Sequence, residues 1–439
     1  MQVLVLEESL SVINNGSFFI TSLEAKLKFT IDTINGIDGF SGTSFKVDVG
    51  GKNLIITGNN GAGKTRFLGK IKEKIDSLFQ SYDIPSLENL NKTLKDSENA
   101  LATTPQGTTV HEQLNVAIAE IKRQIAALNN FNLEFNDAYG FRSLVRNRKG
   151  FVYFFPAMRS ANIYNDGRIT SRETLISEYN NNIQDANFDA GQLLERYIVT
   201  LWNYSLLKKA NGDINDYNRV FGTITSIQDD LRELFEDSSL RLDFNLEELK
   251  IFIVQNKKEP FGMNQLSSGF SSILSVYAHL IMRAELDKVG KKDMLGIVII
   301  DEIDAHLHVT LQKKVFSFFS NSFPNVQFII STHSPFVLQS VSNSVIFNLS
   351  SYEQMKDLSL YSYTSIVKGL LGESEESERL KRLVNELLIL VDNKNFSQRF
   401  ESLINLLDEN AEHLDSRSRA SLALAKSKRL DSEEWGENV

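Results

Sequence analysis

Residues 53–65 read NLIITGNNGAGKT, and this stretch decides the fold. Its first part, 53–57, is a short apolar run of the kind that forms a buried strand. Its second part, Gly58-Asn59-Asn60-Gly61-Ala62-Gly63-Lys64-Thr65, fits the pattern G-x-x-x-x-G-K-[ST]. Glycines at these places let backbone amides turn inward around phosphate oxygens, where side chains would obstruct them. Lys64 then supplies a point charge for the phosphates and Thr65 a hydroxyl for Mg2+. Residues 66–79 continue with helical spacing, so a helix opening near Gly63 aims its positive end at the same oxygens. Strand, loop and helix follow in the order that a phosphate-binding unit requires.

Working outward, the run IVIID at 297–301 ends in two adjacent carboxylates, Asp301 and Glu302. Two acids at the edge of a buried strand are costly unless they serve a cation or a proton. Asp301 suits Mg2+, reached through water, and Glu302 suits the orientation and polarisation of an attacking water. A plain acidic turn is the competing reading, and the glycine-rich loop counts against it. The next apolar run, VQFIIS at 326–331, leads into Thr332 and His333. A histidine at the C-terminal end of a strand stands where ligands collect in α/β sheets, which makes His333 a candidate γ-phosphate contact. Upstream, LSSG at 266–269 opens a helix and brings Ser268 and Gly269 to its first turn.

The remaining chain reads as follows. Residues 18–57 are β-rich, and 151–156 form a buried strand ending at Pro156. Leu87, Leu90, Leu94 and Leu101, then Leu114, Ile118, Ile121, Ile125 and Leu128, recur at heptad-like steps, with Pro105 and Gly107 between the two runs. This predicts either a short antiparallel coiled-coil hairpin standing out from the head or two amphipathic helices lying on it. Residues 189–237 form a helical lobe, strands return near 241 and 251, and the chain past 370 is helical. Arg142, Arg146, Arg148 and Lys149 make a basic run beside the hairpin base, either a nucleic-acid or partner contact or a solvated loop. The expected organisation is a head formed by 1–80 and 138–345, a hairpin insertion at 81–137, and a mainly helical C-terminal region at 346–439.

The order of these motifs resembles the ABC ATPase head. GNNGAGKT is similar to the Walker A loop of the SMC and RecF type, LSSGF at 266–270 to the ABC signature, and IVIIDE at 297–302 to the Walker B strand. IDAHLH at 303–308 resembles the D-loop and STHSP at 331–335 the switch-histidine segment. The resemblance implies an α/β fold with a mixed or parallel β-sheet core, binding ATP and Mg2+. It also implies a head-to-head dimer or higher homo-oligomer, in which Ser268 and Gly269 of a second head close over the γ-phosphate held by the first. No Q-loop glutamine follows the first helix. FFPAMRS at 154–160 takes that place, with Arg159 as a stand-in. No aromatic residue is evident for stacking on adenine.

Among ABC proteins, a transporter motor is disfavoured by the hairpin and the helical tail. A RecF-like ATPase that loads on DNA is the alternative reading. The favoured one comes from DEIDAHLHVTLQKKV at 301–315 with STHSPFVLQSV at 331–341, which are similar to OLD-like ATPases of Septu, PARIS and ABC-bearing retron systems. That resemblance implies an anti-phage defence ATPase whose nucleotide state controls a separate effector of nuclease type. The chain itself offers no nuclease signature: residues past 345 carry no strand-borne acidic cluster, and His306 and His308 read as D-loop structure rather than a metal pair.

Composition bounds these readings. A chain of 439 residues suggests two or three folding units. The absence of cysteine excludes disulfides, thiolate metal sites and cysteine nucleophiles. The net charge of -9 confines any nucleic-acid contact to a local patch. No apolar run has the length of a membrane span, and the first residues lack the basic start of a signal peptide, so a cytoplasmic protein is expected.

Overall fold

The computed structural model describes residues 29–436, apart from 40, 81–83, 85, 164–166, 169, 184–187, 341, 357 and 370–376. The part of the expected β-rich start that falls at 18–28 therefore lies outside the described residues. The chain begins with strands β1 (Ile31–Ile37), β2 (Ser44–Asp48) and β3 (Asn53–Thr57), followed by helix α1 (Lys64–Gln80). Helices α2 (Leu87–Thr103) and α3 (Thr109–Asn130) lead into β4 (Phe131–Phe135), α4 (Ala138–Arg146) and β5 (Phe151–Phe155). Helices α5 (Arg172–Asn182), α6 (Gly191–Ala210) and α7 (Ile214–Phe235) precede β6 (Arg241–Asn245), β7 (Lys250–Val254) and the short β8 (Phe261–Gly262). Then come α8 (Ser268–Asp287), β9 (Gly296–Ile300), α9 (Val309–Gln312), α10 (Val315–Ser322), β10 (Val326–Ser331) and α11 (Pro335–Gln339). The chain closes with β11 (Ser344–Asn348), β12 (Glu353–Lys356) and helices α12 (Tyr363–Gly369), α13 (Glu378–Asp392), α14 (Gln398–Glu409) and α15 (Ser416–Gly436).

The central sheet has six strands in the order β12-β11-β3-β10-β9-β5. All pairs are parallel except β11–β12. Strands β9, β10 and β11 are buried throughout, because helices or a second sheet cover both faces. Alternation along each strand divides its residues between two cores. Ile55, Val298, Ile300, Phe328, Ile330 and Ile346 join the core shared with α6, α7, α8 and α10. Leu54, Ile56, Ile297, Ile299, Ile329 and Val345 join the other, with α1 and the small antiparallel sheet β2-β1-β4. Because β11 and β12 complete the central sheet, the head's sheet continues past residue 345.

Helices α2 and α3 lie against each other. The apolar residues read as a seam are the half-buried and buried ones, while the rest of both helices is mostly exposed. Ser86 and Thr108 cap the two N-termini, accepting from the Asn89 and His111 amides. Glu98 and Lys122 pair across the helices at 2.8 Å. Helices α13, α14 and α15 enclose a core of their own around Leu387, Phe400, Leu403 and Leu407. Among the described residues, no helix is long and apolar enough to cross a membrane.

Candidate functional site

The parallel register aligns the C-terminal ends of β3, β10 and β9: Ser331 pairs with Ile56, and Ile330 with Ile300. The strands end within two residues of one another in this register, so Gly58, Thr332 and Asp301, the first residues past β3, β10 and β9, emerge at one sheet edge. Gly58 adopts φ 136°. A side chain there would be strained, and its Cβ would come 3.0 Å from Ser350 Oγ. The loop returns into α1 at Lys64, and the amides of a helix's first turn have no intrahelical acceptor, which leaves them for an anion.

The side chains expected at the phosphates meet here. Thr65 Oγ1 donates to Asp301 Oδ2 at 2.7 Å, so two hard oxygens stand together, as a hydrated Mg2+ with few protein ligands requires. Asp301 is buried, and its other oxygen accepts from Ser331 Oγ at 2.5 Å. The same hydroxyl accepts from the Glu302 amide at 2.7 Å, so Ser331 fixes both acidic residues. The Glu302 carboxylate accepts no hydrogen bond from any described residue, and its backbone holds φ 45°. Lys64 is buried, and its Nζ donates to Gly58 O and Asn59 O, each at 3.1 Å. His333 Nδ1 lies 3.5 Å from that nitrogen. Burial lowers the Lys64 pKa, and the Glu302, Asp301 and Asp304 carboxylates oppose the shift.

The segment after Asp301 is tied to the segment after Ser331. Thr332 Oγ1 donates to Asp304 Oδ1 at 2.6 Å, and Ser334 Oγ donates to Gln312 Oε1 at 2.7 Å. Sequence reading marks Ser331 and Thr332 only as the end of a strand; the small hydroxyls in STHSP, set opposite an acidic strand end, were the signal for this network. Arg159, expected as a Q-loop stand-in, spends its guanidinium on backbone carbonyls of 301–303. Beside the loop, Arg66 pairs with Asp38 at 2.9 Å near Phe45 and Tyr352, an aromatic wall that sequence reading misses because its members are some 300 residues apart.

Other expected residues lie outside this cluster. Ser268 is exposed at the start of α8, and no hydrogen bond joins its side chain to any described residue. Gly269 is buried against the D-loop segment: a Cβ there would stand 3.0 Å from His306 O. His306 and His308 are exposed, and among the described residues no group of three or more His, Cys, Asp or Glu is placed to hold a metal. The basic run forms the end of α4 and the turn after it, not a loop throughout. Arg142 lies over the Tyr139 ring, Arg146 donates to Phe79 O at 2.7 Å, and Arg148 O accepts from Arg283. Lys149 is exposed.

The family described as "AAA domain, putative AbiEii toxin, Type IV TA system" matches residues 124–339. That stretch holds Ser268, Asp301, Glu302 and His333, and the phosphate loop precedes it. The "Retron Vc95 probable ATPase" of Vibrio cholerae serotype O1 biovar El Tor is 32% identical over 146 residues, covering 32% of this chain and 28% of that protein. The "Septu protein PtuA" of Bacillus thuringiensis is 23% identical over 317 residues, covering 70% of this chain and 72% of that protein. A solved Smc head bound to the C-winged helix domain of ScpA aligns with 73% of this chain and 93% of its own, at 16% identity and a TM-score of 0.33. The aligned stretch spans about a quarter of the length of the retron relatives it matches. In its motif order, its sheet and these likenesses, the chain is similar to ABC-like ATPases, the retron ATPases and Septu PtuA among them.

Proposed function

We propose that this chain is the ATP-binding and ATP-hydrolysing component of an anti-phage defence complex, with ATP sandwiched between two heads and nucleotide state controlling a separate effector, a nuclease. The observation that carries the reading is the convergence of Lys64, Thr65, Asp301, Glu302 and His333 at one sheet edge, while Ser268 faces outward. A site with every part except its signature serine is half of a site, and a second copy supplies the other half.

In the proposed cycle the amides of 59–65 cradle the phosphates, and the Lys64 ammonium leaves the Gly58 and Asn59 carbonyls for the β- and γ-phosphate oxygens. Mg2+, when bound, neutralises charge on those oxygens, and Thr65 and Asp301 are the residues to hold it. Glu302 orients and polarises the attacking water, and His333 contacts the γ-phosphate. Ser268 and Gly269 of the second head cover its far side with a hydroxyl and helix-terminal amides. ATP then holds two heads together, and hydrolysis releases them, which is how nucleotide state reaches an effector. The names of the retron and Septu relatives support the defence setting.

The test uses two variants. Lys64→Ala is expected to lose nucleotide binding by at least about 100-fold, read with a fluorescent ATP analogue. Glu302→Gln should keep binding, lose turnover and accumulate an ATP-bound dimer in sedimentation. Wild-type turnover in Glu302→Gln would remove the role assigned to that carboxylate.

A further inference from the structure

Arg159 follows β5 and the turn at Pro156, and both terminal nitrogens of its guanidinium donate to backbone carbonyls, while its Nε is buried without a partner. Nη1 donates to Pro156 O at 3.0 Å and Asp301 O at 2.8 Å; Nη2 donates to Glu302 O at 3.2 Å and Ile303 O at 3.1 Å. Three successive carbonyls beyond the acidic strand thus converge on one side chain. The Asp301, Glu302 and Asp304 carboxylates are near enough to act on its charge, yet the hydrogen bonds go to carbonyls and not to the carboxylates. Burial lowers the guanidinium pKa to about 10, so the group stays charged at neutral pH. At the centre of this span Glu302 holds a left-handed φ of 45°, a conformation that a residue with a Cβ rarely adopts unless its surroundings impose it.

We propose that Arg159 is a positioning residue: its planar fork clamps the backbone of 301–303, imposing the strained turn that aims Glu302 without itself occupying the Glu302 carboxylate. The inference rests on the role proposed above for Glu302. A lysine places a point charge in the same space but has no rigid fork to span successive carbonyls, so charge alone does not substitute.

The experiment compares full-length wild type, Arg159→Met and Arg159→Lys by affinity for a fluorescent ATP analogue, steady-state turnover, and hydrogen exchange of amides 302–308 without nucleotide. Both variants should lose about 100-fold in kcat with affinity changed less than about threefold. Amides 302–308 should exchange about tenfold faster, with those of β10 unchanged. Unchanged exchange at 302–308 overturns the clamp. So does wild-type turnover in Arg159→Lys, or equal losses of affinity and turnover. Exchange is read without ATP and therefore judges the clamp even if the wild type shows no turnover, a result that would instead strike at the role of Glu302. If Arg159→Met does not unfold cooperatively, Arg159→Lys carries the decision.

Discussion

Removing one hydroxyl should show how tightly the acidic pair is fixed. Ser331 is fully buried and links both acids, donating to Asp301 Oδ1 at 2.5 Å and accepting from the Glu302 amide at 2.7 Å. A hydrogen bond to a carboxylate contributes about 2 kcal/mol and a bond to a neutral amide about 1 kcal/mol. Alanine provides neither and opens almost no cavity, so Ser331→Ala should lower the unfolding free energy by about 3 kcal/mol. Asp301 keeps its bond from Thr65, so the strand end should persist in the variant. The assay is urea unfolding followed by the fluorescence of Trp202, which stacks on Phe244 with ring centroids 4.0 Å apart. The chain has two tryptophans, so the measurement is made in a Trp435→Phe background where Trp202 alone reports. A loss below about 1 kcal/mol would show that the two bonds contribute little net stability, refuting Ser331 as the anchor of the acidic pair.

Two further outcomes follow from burial. His279, enclosed by Tyr153, Phe155, Tyr179 and Phe188, is held neutral by desolvation with a pKa of about 4. An unfolded histidine protonates near pH 6.5, so acidification should remove roughly 3 kcal/mol between about pH 6.5 and 4 and nothing more below; urea midpoints for His279→Gln should lack this component. Leu387 is fully buried in the core of α13, α14 and α15, and Leu387→Ala should cost that unit about 3 kcal/mol while leaving exchange protection in β9 and β10 unchanged; equal loosening of both regions would show that the cores unfold together.

The parts of the fold legible in sequence were those written in contiguous residues. Strands β3, β9 and β10 announce themselves as apolar runs because both faces are covered, and the loop after β3 shows its glycines because amides must approach an anion. The half-buried seam of α2 and α3 follows the heptad spacing of their apolar residues. Strand β4 was hidden because Phe131 continues α3 with no breaking residue, and its partner is β1, far earlier in the chain. Arg159 was visible only as a charge in the expected region, since donation to carbonyls of another loop leaves no periodic trace. The Asp38–Arg66 pair and Tyr352 escaped for the same reason: the contacts are tertiary.

The central claim is that one ATP site is built from two heads, and mixing two defective variants tests it most directly. A Lys64→Ala head lacks a working loop but keeps Ser268; a Ser268→Arg head has the reverse defect. Each alone should be inactive. An equimolar mixture should regain up to about a quarter of wild-type turnover, because half of the dimers are mixed and each carries one intact site. Turnover in the mixture no greater than the sum of the separate variants, despite ATP-driven association of the wild type, would contradict the account.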